Sequence, residues 1–357
     1  MHDVDVAIVG GGPIGIELNA ALSNAGRSVA HFEAGGIGHT FAWWAPGTKF
    51  FSSPERIAVC GVPLSTPDQG KVTGEVYRSY LVDVVKQFSL DVRTFMRVEE
   101  IERTDSRFVL SCRRSAEGVG GPSDPGAGFG EMHKVNAAQV VLAIGNMHRG
   151  RLIGCQGEDL PNVSHYLEDV TRYFGRRVVI VGGKNSAAEA AIRLYRAGAH
   201  VTICYRQAEF DTDRIKYWVL PELEWLIEKG RISFMPGTNV VRVTAEEVEL
   251  DSGERVEADD VLMLTGYLQN RTLFDQLGVE LTGEVERPVL DRTTMESSVP
   301  GVYLAGTACG GSQNRAKVFI ENSHVHVDRI CRAIAGQGVP WELDDVLEGL
   351  GKAHEEQ

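Results

Sequence analysis

Two stretches of this chain share one grammar, and no other feature restricts its fold as much. Residues 6–15 read VAIVGGGPIG, and residues 178–191 read VVIVGGKNSAAEAA. In each, a run rich in β-branched residues stops at paired glycines and a helix-forming stretch follows. A strand that breaks into a glycine turn and resumes as a helix opens a βαβ unit of the dinucleotide-binding kind. The turn lets the backbone approach a pyrophosphate, and the helix N-terminus offers N–H donors and the positive end of its dipole. Two such units in 357 residues predict an α/β chain with two Rossmann-like dinucleotide-binding domains.

In the first unit, Val4–Val9 reads as a strand. Residues 13–25 read as a helix with Ile14, Leu18 and Leu22 on one face, and Ser28–Phe32 as a second strand ending at Glu33. Gly10, Gly12 and Gly15 satisfy G-x-G-x-x-G, for the tight turn, the close approach of the phosphate and the packing of helix on strand; Pro13 and Ile14 open the helix between them. Glu33 stands where an acid binds an adenosine ribose hydroxyl.

The second unit predicts a strand at 177–181, a helix at 186–197 and a strand at 200–204. Gly182 and Gly183 keep the turn, Lys184 replaces the second spaced glycine, and Ala187 fills the close-packing position. Asn185 or Ser186 is expected to cap the helix, and Glu189, one turn in, to face the nicotinamide end. The second strand ends in Tyr205 and Arg206 instead of an acid. An arginine pairs with a 2′-phosphate and a tyrosine can flank the adenine, which favours NADPH over NADH.

A third element, GVYLAGTACGGSQNRAKVFIENSH from residue 301, reads as a strand, a small-residue turn and a helix from about Ala316 to Ala335. Residues 35–66 read as long loops, 74–88 as an amphipathic helix, and 91–112 and 134–144 as strands around an exposed, mobile hairpin tip at 118–130. A helix at 217–229 and strands near 231–235, 239–243, 247–250 and 261–264 complete the pattern. A net charge of −13 with no block of like charges argues against nucleic acid or an anionic membrane as partner. No apolar run approaches the ~18 residues of a membrane span. The N-terminus reads as a strand, not a leader. Cys60, Cys112, Cys155, Cys204, Cys309 and Cys331 show neither CxxC nor metal-ligand spacing, as expected of reduced thiols in a cytoplasmic protein. His324 and His326, two apart on a helix, point in different directions and make no metal pair.

Taken together, the three glycine elements resemble the thioredoxin-reductase-like flavoproteins. Those have two three-layer ββα domains, an FAD domain interrupted by an inserted NAD(P)H domain. AIGN at 143–146, with Gly145, stands where that group has its A-T-G segment. The likeness narrows to the YpdA-type bacillithiol-disulfide reductases in KFFSSPERIAVCGVPL (49–64), VGGKNSAAEAA (181–191), IKYWVLPELE (215–224) and KVFIENSH (317–324), and it covers essentially the whole chain. It implies an FAD-binding domain over 1–150 and 269–357, and an NADPH-binding domain over 151–268. Gly10, Gly12, Gly15 and Glu33 would hold the FAD adenosine and pyrophosphate. Thr40, Phe51, Ser52, Gly306, Thr307 and the helix start at Ala316–Lys317 would lie beside the flavin. Gly182, Gly183, Lys184, Asn185, Ser186, Tyr205 and Arg206 would hold NADPH. The implied activity is that of an FAD-dependent NADPH oxidoreductase.

Three departures bear on the electron acceptor. The CxxC of thioredoxin reductases is absent, and Ile14 stands where YpdA-type proteins have a cysteine in G-x-G-P-C-G. Gly306-Thr307 replaces the Gly-Asp of thioredoxin reductases. Cys309, nearest in sequence to the expected flavin, and His39, before the flavin loop, remain as catalytic candidates. The acceptor readings are a low-molecular-weight disulfide such as oxidised bacillithiol, a ferredoxin or quinone, or none, as in a flavin-bound redox sensor with little turnover. Relatives of this group are commonly dimers or tetramers, so a homo-oligomer is in keeping with the resemblance.

Overall fold

The computed structural model describes residues 2–115, 128–147, 149–312 and 318–343. They fall into two compact units. The first comprises the chain up to Ala42, Gly47–Arg149 and the chain from Leu268 on; the second comprises Trp43–Pro46 and Gly150–Tyr267.

In the first unit one sheet runs, from edge to edge, Val92–Arg93, Val29–Phe32, His2–Val9, Phe129–Leu142, Phe108–Arg114, Met96–Arg103, and Val302–Leu304 also pairs with Phe129–Leu142. The long strand Phe129–Leu142 serves two ladders. Its last residues run parallel to His2–Val9, with Val9 opposite Leu142, and its first residues run antiparallel to Phe108–Arg114. Val302–Leu304 lies parallel to the same end, Leu304 opposite Leu142. Three neighbouring parallel strands therefore finish side by side at Val9, Leu142 and Leu304, and each continues into a glycine-containing segment. Ligands of open α/β sheets bind at such carboxyl ends. Val6, Ile8, Val140, Val141 and Val302 are fully buried, in one core with Leu18, Leu22 and Ile330 from the helices and Phe108 and Leu110 from the antiparallel strands.

Helix Pro13–Asn24 starts at the first glycine turn with Pro13 in its first turn, where a missing N–H is harmless. Helix Gly74–Gln87 is capped by Thr73, whose hydroxyl accepts from the Val76 N–H at 3.4 Å. The helix expected from about Ala316 starts later. Ala316 and Lys317 lie outside the described residues, Phe319 is extended, a 3-10 turn spans Ile320–Asn322, and the α-helix is His324–Ala335. The Phe319 N–H donates to Asn322 Oδ1 at 2.8 Å and Ser323 Oγ donates to the Phe319 carbonyl at 2.5 Å, local bonds that compete with helix formation. Of the expected hairpin tip, residues 118–127 lie outside the described residues, and Phe129–Gly130 already belong to the long strand.

The second unit carries a parallel sheet in the order Ser233–Pro236, His200–Tyr205, Arg177–Val181, Asp260–Met263, Val163–Ser164, and an antiparallel sheet of Val240–Val243, Glu247–Leu250 and Arg255–Glu257. Helix Asn185–Arg196 follows the second glycine turn. The helix expected at 217–229 is shorter, Leu220–Glu228, because Pro221 fits only its first turn. Tyr217 and Trp218 precede it, exposed. Among the described residues no helix is long and apolar enough to cross a membrane.

Candidate functional site

The first glycine turn is forced by close approaches. Gly10 has φ +115°, and a Cβ there would lie 2.4 Å from the Ala143 carbonyl oxygen. On Gly15 a Cβ would lie 1.9 Å from the Gly10 carbonyl oxygen, so helix and turn pack as only glycine permits. At Gly12, by contrast, nothing lies within 4 Å of that position, and Gly12 caps the helix without a side-chain acceptor. An open space faced by uncapped first-turn amides fits a pyrophosphate.

Glu33 accepts from the Gly11 N–H at 2.6 Å and the Gly35 N–H at 2.7 Å. Burial pushes its carboxyl above the ordinary range, against the pull of those two N–H groups and of His39. The G-x-G-x-x-G motif leaves the Gly11 position free, but the structure does not. A Cβ there would lie 2.8 Å from Glu33 Cβ, and the run of three glycines was the available signal. His39 lies over Gly35, where a Cβ would sit 2.4 Å from its ring, and beside Glu33. Its place is with the acid at the strand end. Thr40 next to it is exposed.

The three strand ends bring a second group together. A Cβ on Gly306 would lie 3.5 Å from Ile14 Cβ, and one on Gly145 would lie 3.8 Å from Thr307 Oγ1. Gln269, which no sequence pattern marked, staples these turns. Its Nε2 donates to the Gly145 carbonyl at 3.2 Å and to the Ala308 carbonyl at 2.9 Å, while its own N–H donates to Ser312 Oγ at 2.9 Å. Phe51 meets Phe319 edge to face with ring centroids 5.1 Å apart, and Ser52 is buried.

Cys309 departs from what a reactive thiolate requires. It is buried, burial pushes its thiol far above the ordinary range, and its neighbour His326 lies 3.9 Å away through Nδ1. That same Nδ1 accepts from the Gly306 N–H at 3.2 Å. Burial first, then Arg329 and His324, hold His326 down at about 3, so it stays neutral and supplies no cation to activate the thiol.

The second turn repeats the first at its two opening glycines. Gly182 has φ +151° and a Cβ there would lie 2.5 Å from the Leu264 carbonyl oxygen, as Gly10 meets Ala143. On Gly183 it would lie 2.4 Å from the Tyr205 ring, as Gly11 meets Glu33, so Tyr205 occupies the acid's place. Tyr205 is buried and stacks on Phe210 at 6.0 Å. Lys184 is the cap residue, half-buried and without a side-chain cap bond. The expected capping by Asn185 or Ser186 does not occur. Asn185 is already helical and its Oδ1 accepts from the Lys216 N–H at 3.1 Å, while Ser186 is exposed. The helix amides are thereby left for a ligand, as at the first turn.

Burial, then the nearby charges of Arg214, Arg206 and Arg151, lowers the Lys184 pKa, with Asp211 opposing. Four cations thus crowd this turn, and Arg214 also pairs with Asp211 at 3.3 Å. Arg206 is exposed, and Glu189 is half-buried on the helix. Such a cluster suits a dinucleotide with an extra phosphate. Among the described residues no group of His, Cys, Asp and Glu is placed to hold a metal ion.

The family model described as pyridine nucleotide-disulphide oxidoreductase matches residues 7–117 and 130–306. Bacilliredoxin reductase Bdr of Bacillus subtilis is 32% identical over 333 residues, 92% of this chain and 96% of that protein. A ferredoxin–NADP reductase of Listeria monocytogenes is 23% identical over 316 residues, 85% of either chain. The structure of bacillithiol disulfide reductase Bdr (YpdA) from Bacillus cereus superposes with a TM-score of 0.85 at 30% identity, covering 94% of this chain and 99% of that one.

Proposed function

The chain belongs to the pyridine nucleotide-disulphide oxidoreductase family, and from that premise we propose that it passes electrons from NADPH through FAD to a low-molecular-weight disulfide of the bacillithiol type. It is an oxidoreductase using FAD and NADPH. We assign FAD to the unit with Gly10–Gly15 and NADPH to the unit with Gly182–Ala187. The observation that carries this assignment is the pair of matching turns with opposite strand-end chemistry: Glu33 beside one, Lys184, Arg206, Arg214 and Arg151 around the other. The acceptor follows from the likeness to Bdr.

When bound, the cofactor pair supplies hydride transfer from nicotinamide to flavin and two-electron delivery onward, so that one disulfide and one solvent proton per NADPH yield two thiols. The protein's residues hold and shield. The first-turn amides after Gly12 take the pyrophosphate, Glu33 a ribose hydroxyl, and Thr307 can donate to the ribityl chain. Ile14 against Gly306 keeps water from the turn that bears it. Lys184 and Arg206 hold the 2′-phosphate, and Glu189 faces the nicotinamide end.

No cysteine is placed as an exchanging thiol. Five of the six are buried, and Cys155, half-buried, is pushed up to about 11 by burial and Glu158. Electrons therefore leave for the acceptor without a protein disulfide. All six cysteines are free thiols, which supports a cytoplasmic setting, and a homo-oligomer is in keeping with the family.

Anaerobic stopped flow tests the reading: NADPH should bleach the flavin, bacillithiol disulfide should restore it, and prior alkylation should leave both rates unchanged. A second reading, a ferredoxin- or quinone-type reductase, is favoured by Ile14 and by the missing thiolate. Reoxidation by ferredoxin or quinone but not by the disulfide would move the assignment there. If Ile14→Cys raises disulfide turnover several-fold over the parent, an exchanging thiol is a better route than the one this chain uses.

A further inference from the structure

We propose that His31 is a positioning residue for the FAD site: it fixes the orientation of the Gly10–Gly11 peptide and, through that peptide, the direction of Glu33. The proposal rests on the assignment of FAD to the first turn.

His31 has 0% of its surface exposed and lies under the glycine turn, in the strand Val29–Phe32. Its Nε2 is 2.9 Å from the Gly10 carbonyl oxygen. A carbonyl only accepts, so Nε2 carries the ring proton. Nδ1 then holds a lone pair and accepts from Asn19 Nδ2 at 3.2 Å, and Asn19 Oδ1 accepts from Ser23 Oγ at 3.0 Å. Three side chains, two of them on the helix Pro13–Asn24, thus select one neutral tautomer.

The Gly10 carbonyl needs this donor. It points into the seam between turn and helix, where even a Cβ on Gly15 would lie 1.9 Å from the oxygen and 3.2 Å from His31 Nε2. Gly15 and His31 close on the oxygen from two sides, and a buried carbonyl without a donor costs about 1–3 kcal/mol. The other edge of the same peptide is also held, since the Gly11 N–H donates to Glu33 Oε2 at 2.6 Å. Residues 31 and 33, two apart at a strand end, face the same way. One strand end therefore grips one peptide plane by its C=O and by its N–H. Turning the peptide over would set an oxygen against the Glu33 carboxylate and an N–H against the His31 N–H. The orientation is fixed by two mismatches as well as two bonds.

The consequence reaches the ligand. With Oε2 engaged by Gly11 and Oε1 by Gly35, the carboxylate is aimed, and each oxygen keeps a lone pair for a ribose hydroxyl. Without His31 the peptide loses the bond that opposes a flip, and Glu33 loses its fixed partner.

The test is FAD binding to the deflavinated full chain, read by flavin fluorescence. His31→Met keeps the volume and removes the donor; His31→Gln keeps an N–H donor. His31→Met should weaken FAD binding about tenfold, and His31→Gln should stay within about threefold of the parent. The KM for NADPH should stay unchanged in both. FAD binding by His31→Met as tight as the parent's, or by His31→Gln as weak as that of His31→Met, overturns the proposal. Should His31→Met fail to fold, nitrogen-15 NMR of histidine in the parent holoprotein decides: the neutral Nε2–H tautomer at pH 7.5 supports the proposal, and any other form overturns it. A parent that binds no FAD sinks the FAD assignment instead, so the two failures are distinguishable.

Discussion

The two glycine turns use one backbone device with different tolerances. At both, the first glycine is forced by a carbonyl of the next strand's exit, Ala143 or Leu264, and the second by the residue that ends the neighbouring strand, Glu33 or Tyr205. Beyond that they diverge. The first turn continues with an open Gly12 and a Gly15 that meets the Gly10 carbonyl oxygen; the second has Lys184 and Ala187 in those places. On the proposed assignment the backbone geometry makes each a nucleotide turn, while the side chains at its rim decide which nucleotide. An acid gripped by backbone N–H groups suits ribose hydroxyls, and a crowd of cations suits a phosphate.

Gly15→Ala should break the comparison most completely. The new Cβ would stand 1.9 Å from the Gly10 carbonyl oxygen, a backbone atom that cannot move without opening the turn. We expect purified Gly15→Ala to carry almost no flavin, judged by the ratio of visible to ultraviolet absorbance, with a loss on the order of 3 kcal/mol or more. Ala187→Gly, the mirror change, should cost only about 1 kcal/mol of helix propensity. A flavin-loaded Gly15→Ala protein would mean that the first turn is no tighter than the second.

Acid should separate the units next. Burial holds His31 down at about 4 and His326 at about 3, both in the first unit and both below the ordinary value of 6.5. Each is neutral in the folded state, and the unfolded chain takes up a proton first. Their contribution is therefore complete above about pH 6.5 and is lost as pH falls toward 4 and then 3, on the order of 3 kcal/mol for His31 alone. In the second unit only the half-buried His165 is shifted the same way. Melting followed by flavin release should be flat above about pH 6.5 and fall between there and about pH 4, and His31→Gln should flatten the fall. Equal slopes in parent and variant would remove His31 as the cause.

How much of this was readable beforehand follows from the range of each contact. Strand, glycine turn and helix are neighbours in sequence, so the two βαβ units, Glu33 and Arg206 stood out from spacing alone. Gln269 did not, because its partners Gly145 and Ala308 lie 124 and 39 residues away and share no period with it. Position alone points to Asn185 as a cap, yet the group that claims its side chain, the Lys216 N–H, is 31 residues on. The late start of the final helix turns on Asn322 and Ser323 bonding back to Phe319, a local choice that helical periodicity does not register.

Reversing charge at the rim should come third. On the proposed assignment Arg206→Glu replaces the arginine that pairs with the 2′-phosphate by an acid of the kind found at the first turn. The kcat/KM for NADPH should drop about a hundredfold while that for NADH holds or rises, the size expected when a site built for a charged group loses it. Equal losses for both nucleotides would place Arg206 in the fold and take it out of discrimination.

The smallest effect concerns the residue that most distinguishes the second turn. Lys184 is half-buried among Arg214, Arg206 and Arg151, and burial followed by their repulsion holds its pKa below that of an exposed lysine. It therefore loses its proton earlier than other lysines as pH rises. A bound 2′-phosphate favours the charged form, so deprotonation must weaken NADPH binding: KM should climb a few-fold as alkali removes the Lys184 proton, with kcat little changed. NADH, lacking that phosphate, should show no such climb. Lys184→Arg keeps a charge that alkali does not remove, and its KM profile for NADPH should stay flat over the same range. The first turn, with Gly12 in this place, offers no counterpart, so FAD retention should be indifferent to the same alkaline step. If the parent's KM for NADPH is as flat as the variant's, the lysine fills the turn without reading the phosphate, and discrimination passes to Arg206 and Arg214.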